Sequence, residues 1–310
     1  MINLDDILNQ VKDVEETKLK NERGGFQVDA RILVMKKNCR YVLRLLPNVK
    51  DANGTFVTYK EIGWKSPSTG KYVYGGRSPS DAGIKDDLFK STQWEEFVKA
   101  RDKGDEVAKK VTYSLLPQRK QMVNAYLVEV EGDDAESKEK IGTVVVFRYA
   151  AQIENKTQAP VSDIYKRIHS GIFGDTAKKV GKKALDLGPN GKSLIINVAD
   201  KAGFNNYADT TFDDSEDLGL SDEKIMEIYN GVYNLNEFLP EVKTKEEIKQ
   251  LIDTAYFGNS ATEEDELLDV ELPPSRKSKP APTDDDELPG IAPGKAGKTS
   301  DDLDDLLADL

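Results

Sequence analysis

Apolar residues recur along this chain with two different periods, and the changes between them mark its organisation. In residues 3–20, Leu4, Ile7, Leu8, Val11 and Val14 follow the helical period with polar and acidic residues on the other faces. A helix is expected there, packed either on its own body or on a neighbouring protomer. Strand signals then take over. Residues 31–35 and 40–46 are short apolar runs separated by Lys36-Lys37-Asn38 and closed by Pro47-Asn48. Residues 55–64 alternate in part and are rich in β-branched and aromatic types, and 71–74 follow the turn-like Ser68-Thr69-Gly70. Residues 111–116, 122–130 and 141–149 read as further strands, with Gly132-Asp133-Asp134 opening a charged hairpin loop between the last two. One more strand, 193–199, is entered through Gly188-Pro189-Asn190-Gly191, and helical intervals fall near 86–103 and 161–170.

Many short strands, few inserted helices and no regular βα alternation predict a mainly β, α+β chain. Its core is expected to be a Greek-key β-barrel rather than a doubly wound sheet. Two acidic helices follow. One starts near Ser221, and the other starts at the capping box Thr244-Lys245-Glu246-Glu247 and stops before Gly258. Past Asn259 the chain turns rich in Pro, Ser, Asp and Glu and is expected to be disordered. The predicted units are a helical arm (1–22), a core (23–212), an acidic helical segment (213–258) and an acidic tail (259–310).

The tail ends Asp301-Asp302-Leu303-Asp304-Asp305-Leu306-Leu307-Ala308-Asp309-Leu310. Leu303, Leu306, Leu307 and Leu310 would share one helical face, with Ser300 as a cap and the aspartates elsewhere. A helix of this length does not hold alone in water, so the segment reads as a peptide that folds on a partner's apolar groove. A solvated tail without a role is the plainer reading, and the leucine stripe argues against it.

Charge divides the chain in the same way. Residues 23–203 carry 32 Lys+Arg against 22 Asp+Glu, a net +10, while residues 1–22 carry 3 against 6, a net −3. Residues 204–258 carry 4 against 13, a net −9, and residues 259–310 carry 5 against 15, a net −10. A basic body with acidic ends suits a polyanion binder that carries an internal polyanion mimic. The overall charge of −12 therefore does not argue against nucleic acid.

The body interleaves cations with aromatics: Arg40-Tyr41 with Arg44, Tyr59-Lys60, Trp64-Lys65, Tyr72 and Tyr74 beside Lys71 and Arg77, Tyr113 before Arg119-Lys120, and Phe147-Arg148-Tyr149. Binding of a single strand needs this mixture, because cations follow phosphates while rings stack on bases. Taken singly, each ring is more simply a core residue. Lys178-Lys179 and Lys182-Lys183 serve either solubility or backbone contact. Cys39 is expected to be a buried structural thiol and His169 structural or exposed. One cysteine and one histidine supply neither a disulfide nor the usual zinc ligands. The stretch Ala292-Pro293-Gly294-Lys295-Ala296-Gly297-Lys298-Thr299 resembles a relaxed phosphate loop, but it lies in a linker without the strand and helix that such a loop needs. No catalytic constellation is found. No apolar run reaches membrane-spanning length and the first residues do not read as a signal peptide, so a soluble intracellular protein is expected.

Several segments, taken in order, resemble the T-even-type phage single-stranded-DNA-binding proteins of the gene 32 type. They are residues 41–47 (YVLRLLP), 113–116 (YSLL) with Arg119-Lys120, 146–149 (VFRY), 203–207 (GFNNY) and the tail DDLDDLLADL. The resemblance runs from about residue 37 to 212, plus the tail. It implies an OB-fold core with a cleft for single-stranded DNA, no catalysis, and roles in replication, recombination and repair in the cytoplasm of an infected bacterial cell; no cofactor is expected. It implies that Tyr113, Tyr149, Phe204 and Tyr207 line the cleft or stack on bases, and that Arg119, Lys120 and Arg148 contact phosphates. The tail, Asp301 to Leu310, would recruit replication and recombination proteins. Three departures stand out. The loop that holds zinc in the best-known members, here about residues 74–90, has no Cys or His, so a metal-free variant is expected. Met122-Val123 stands where an aromatic pair is usual. Residues 1–22 are net acidic where the family has a basic arm for self-association along DNA. An acidic scaffold or chaperone that binds basic proteins remains the rival reading; it leaves the +10 body unexplained.

Overall fold

The computed structural model describes residues 29–259, so the expected helix at 3–20, the phosphate-loop-like linker and the acidic tail lie outside the described residues. Nine strands form one sheet among the described residues. They are β1 (Ile32–Leu33), β2 (Cys39–Leu46), β3 (Phe56–Lys65), β4 (Tyr72–Arg77), β5 (Gln118–Glu131), β6 (Val144–Ala150), β7 (Lys192–Lys201), β8 (Phe204–Asn206) and β9 (Thr211–Ser215). The order is β1-β6-β5-β2-β7-β8, with β3 bridging β4 and β5 and β9 lying on β7. Only β1 and β6 run parallel; the other pairs are antiparallel.

The pivot is β5, 14 residues long. One edge meets β6 over Lys120–Tyr126, while the other meets β3 over Gln118–Val123 and then β2 over Asn124–Glu131. The chain is thus mixed α/β and rich in sheet, as expected. The sheet is open, however: none of these pairings closes the barrel that the strand pattern suggested.

One face of the sheet buries Tyr41, Leu43, Leu45, Val123, Ala125, Leu127, Phe147 and Leu194 beneath Ile164 and Ile168 of α4 (Asp163–Ile172). The other face carries Tyr59, Met122 and Val146 beneath Leu235 and Phe238. The remaining helices are α1 (Leu88–Asp102), α2 (Glu106–Thr112), α3 (Ala135–Lys138), α5 (Asp222–Asn230) and α6 (Lys245–Leu251). Ile228 of α5 packs on Leu46 and Tyr126, and Ile248 of α6 packs with Ile62, Trp64 and Phe89. The acidic helices therefore dock on the sheet through their apolar stripes. Their predicted caps form: Ser221 accepts from the Lys224 amide, and Thr244 and Glu247 make the reciprocal capping box.

Residues 111–116 are not a strand. Asp105 accepts from the amides of Val107 and Ala108 and starts α2, which runs to Thr112 and tightens into a 3-10 turn over Tyr113–Leu115. An N-cap followed by good helix formers outweighs the β-branched residues in the stretch. Two further strands, β8 and β9, escaped the pattern because they are short and largely polar. Cys39 is buried, as expected.

Asp134 carries the hairpin loop between β5 and β6. Its fully buried carboxylate accepts from Tyr41 Oη at 2.7 Å and the Ser137 amide at 3.3 Å, and pairs with Lys36 Nζ at 3.1 Å. Burial pushes its pKa up, but the bonds from Ser137, Tyr41 and Lys36 outweigh burial and hold it below the usual value. A lowered folded pKa gives stability that is present above the unfolded carboxylate range, near about 4, and lost as pH falls through the folded value. Asp134→Asn is therefore expected to destabilise by about 1–3 kcal/mol at neutral pH. Thermal melts from about pH 7 to pH 2 should show this gap closing below about pH 4. A gap that stays constant with pH would remove Asp134 from the acid response.

Candidate nucleic-acid interface

Register sets the centre of the site. Tyr59 lies opposite Lys120, Glu61 opposite Gln118, and Met122 opposite Arg148. Opposed residues and residues two apart share a face, so Tyr59, Glu61, Lys120 and Arg148 converge on one side of the sheet. Lys120 Nζ lies 3.5 Å from Glu61 Oε1, while Tyr59 Oη and Tyr74 Oη donate to Glu61 Oε2 at 3.4 and 3.3 Å. Burial pushes the Tyr59 and Tyr74 phenols well up, and Glu61 adds to it. They therefore remain protonated donors. Burial opposes the charge of Arg148, but the oxygens of Tyr59, Glu61 and Tyr74 outweigh it and raise its pKa. Tyr72 lies over Gly63, where any Cβ would collide with its hydroxyl. Two cations and three phenols are thus gathered around a single carboxylate, an arrangement suited to an anion's oxygens.

The opposite face carries Arg119 and Tyr149. Arg119 Nη1 donates to the Ala151 carbonyl at 3.3 Å and to Tyr165 Oη at 3.4 Å, with the guanidinium 5.3 Å from the Tyr165 ring. Tyr149, 4 % exposed, donates to Gln121 Oε1 at 2.6 Å and packs on Phe147. It is a core ring in this structure and offers no free face for stacking. Adjacent strand residues point to opposite faces, so Arg148 and Tyr149 cannot line one surface.

Tyr113 sits on the turn after α2, with Phe97 of α1 at 5.9 Å; Phe97 is in turn stacked by Trp94, which is 47 % exposed. Phe204, at the start of β8, is 77 % exposed. Tyr207 is half-buried and accepts from Asn205 Nδ2 at 3.0 Å. Of the seven expected contact residues, the structure gathers Lys120 and Arg148 into one cluster. It places Phe204 and Tyr207 together on the β8 hairpin, Tyr113 beside α1, and Arg119 against α4. Sequence reasoning missed Glu61, Trp94 and Tyr165. Glu61 lies in the Tyr59-to-Trp64 aromatic run, and a lone carboxylate there is the signal that could have drawn attention to it.

Residues 74–90 do not suit a zinc ion. They contain no Cys or His, and each carboxylate is engaged: Asp81 by Arg77, Asp86 by Lys245, and buried Asp87 by Ser78 Oγ and the amides of Ser80 and Lys90. Among the described residues no group of His, Cys, Asp and Glu could hold a metal ion, and no helix is long and apolar enough to cross a membrane. Hydrogen bonds hold this loop where the resemblance would have a metal hold it.

A search of curated proteins finds no match for the chain. A family model described as gp32 DNA binding protein like matches residues 37–255 of the 310, a span that takes in β2, the Glu61 cluster, the β8 hairpin and both acidic helices. The chain therefore belongs to the gp32-like family of single-stranded-DNA-binding proteins.

Proposed function

We propose that the protein binds single-stranded DNA without sequence preference and without catalysis, and serves replication, recombination and repair. The observation that carries this reading is the cation pair Lys120 and Arg148, held among Tyr59, Tyr72 and Tyr74 on one face of the sheet. Phosphates displace Glu61 from the cations, and bases stack on exposed rings such as Phe204. The long β5, shared between β2, β3 and β6, supports assigning the core to the OB class in an open form. Residues 259–310 act as an electrostatic mimic that competes with DNA in the free protein. Once displaced by DNA, Asp301 to Leu310 recruit replication and recombination proteins.

Fluorescence titration with poly(dT) and with duplex, at two salt concentrations, tests this. Trp64 is 2 % exposed and edge-on to Phe89, whereas Trp94 connects through Phe97 to Tyr113. Quenching by the single strand alone is expected, weaker at high salt, and lost in Trp94→Phe but kept in Trp64→Phe. No binding to poly(dT) by either fluorescence or mobility shift would discard the reading and favour the acidic scaffold. Deleting residues 259–310 should tighten binding most at low salt. Unchanged affinity would end the mimicry and leave recruitment standing.

A further inference from the structure

One surface lies outside the Glu61 cluster and has its own chemistry. Along α4, Tyr165, His169 and Phe173 stand one turn apart, with ring centroids 5.8 Å between Tyr165 and His169 and 5.8 Å between His169 and Phe173. Arg119 covers the Tyr165 end. Tyr165 and His169 are half-buried, while Phe173 at the far end is 67 % exposed. The chain then folds back on the helix end: the Gly174 amide donates to the His169 carbonyl at 3.0 Å and the Thr176 amide to the Ser170 carbonyl at 3.2 Å. Lys178, Lys179, Lys182 and Lys183 follow, all exposed, and Lys166 and Arg167 are exposed on α4 itself. Residues 163–183 thus hold six Lys+Arg against Asp163 and Asp175.

We infer that this ladder is a second contact surface for single-stranded DNA, extending the bound strand beyond the central site. The inference rests on the single-strand-binding reading above. Phe173 is a stacking platform for a base, propped from behind by His169 and Tyr165, so its ring has little rotamer freedom to lose on binding. The lysines after it take the phosphates, and Arg119 joins the ladder to the end of β5. An exposed ring followed by four exposed lysines matches a strand that offers a π-face and a charge at every nucleotide. Arg167 Nε donates to the Thr210 carbonyl at 2.8 Å, which ties this helix to the segment after Tyr207.

The test uses the full chain and two lengths of oligo(dT), about 6 and about 16 nucleotides, the short one filling only a central site. Phe173→Ala, and separately Lys178→Ala with Lys179→Ala, should weaken the long oligonucleotide about tenfold at low salt and leave the short one unchanged, since the first loses about one stacked base and the second about two phosphate contacts. His169 is the only histidine, so its ring gives a single proton resonance pair. That pair should shift with the long oligonucleotide and not with the short one. Wild-type affinity of both variants for the long oligonucleotide, with a silent His169, overturns the inference and leaves the central site intact. An equal loss at both lengths places Phe173 within the central site and overturns the extension. Failure of the wild-type protein to bind either length overturns this inference and the proposed function together.

Discussion

Replacing Lys120 and Arg148 together by glutamine is expected to weaken binding to poly(dT) roughly 60-fold at about 50 mM salt. Each phosphate contact to a single strand contributes about 0.7 to the salt slope, so two contacts contribute about 1.4. Over the roughly 20-fold range from about 1 M salt, that slope amounts to about 1.8 decades. The variants should therefore converge with the parent at high salt. The two cations also neutralise Glu61, which two phenols hold at 3.3 and 3.4 Å. Leaving that carboxylate alone in a buried site invites local rearrangement. Adding Glu61→Gln removes the stranded charge and separates lost phosphate contact from lost structure. Glu61→Gln alone should tighten binding at low salt, because the cations then have no internal anion to leave. A double variant whose salt slope equals the parent's would remove Lys120 and Arg148 from the DNA path.

Arg44→Leu is expected to destabilise the fold by about 3–5 kcal/mol, read from denaturant midpoints. The guanidinium is fully buried and donates to Ser193 Oγ at 2.9 Å, the Asp186 carbonyl at 3.2 Å and the Glu216 carbonyl at 2.5 Å. Burial lowers its pKa, and the nearby Glu216 and Asp186 oppose the shift. Leucine would fill much of the volume but strand the buried Ser193 hydroxyl and two part-buried carbonyls. Gly191→Ala approaches the same joint from the other side, since a Cβ there would collide with the Arg44 guanidinium and the Asp186 carbonyl. Both variants should loosen β7, and with it the hairpin bearing Phe204. If Arg44→Leu melts with the parent, the guanidinium is not a structural tie.

Arg44 also shows how far the sequence could be read. The run CRYVLRLL identified β2 as a strand from its apolar content, yet its arginine looked like one more cation for DNA. The partners lie 142 to 172 positions away, and no local pattern announces them. Strands β2, β3, β5, β6 and β7 were legible because long alternating or apolar runs dominate them. Residues 111–116 misled because Val, Thr and Tyr favour strands when the cap six residues upstream is ignored. The site was legible in composition and only partly in place. Arg148 and Tyr149 were assigned together, although the period of a strand separates them, and VVVFRYA already contains that alternation. Which of two tyrosines is exposed depends on what covers each face, and α4 covers Tyr149 from 14 positions downstream.

The lone thiol has a practical consequence. Cys39 lies buried in β2, and the chain has no other cysteine. A maleimide dye should therefore ignore the native protein and react once the sheet opens, making alkylation a direct clock for global unfolding. The same silence leaves the surface blank for engineered labels. A single cysteine placed at an exposed position beside the β8 hairpin, such as Lys201 at the end of β7, can carry a fluorophore without competition from the core, and can follow the arrival of a DNA strand one molecule at a time.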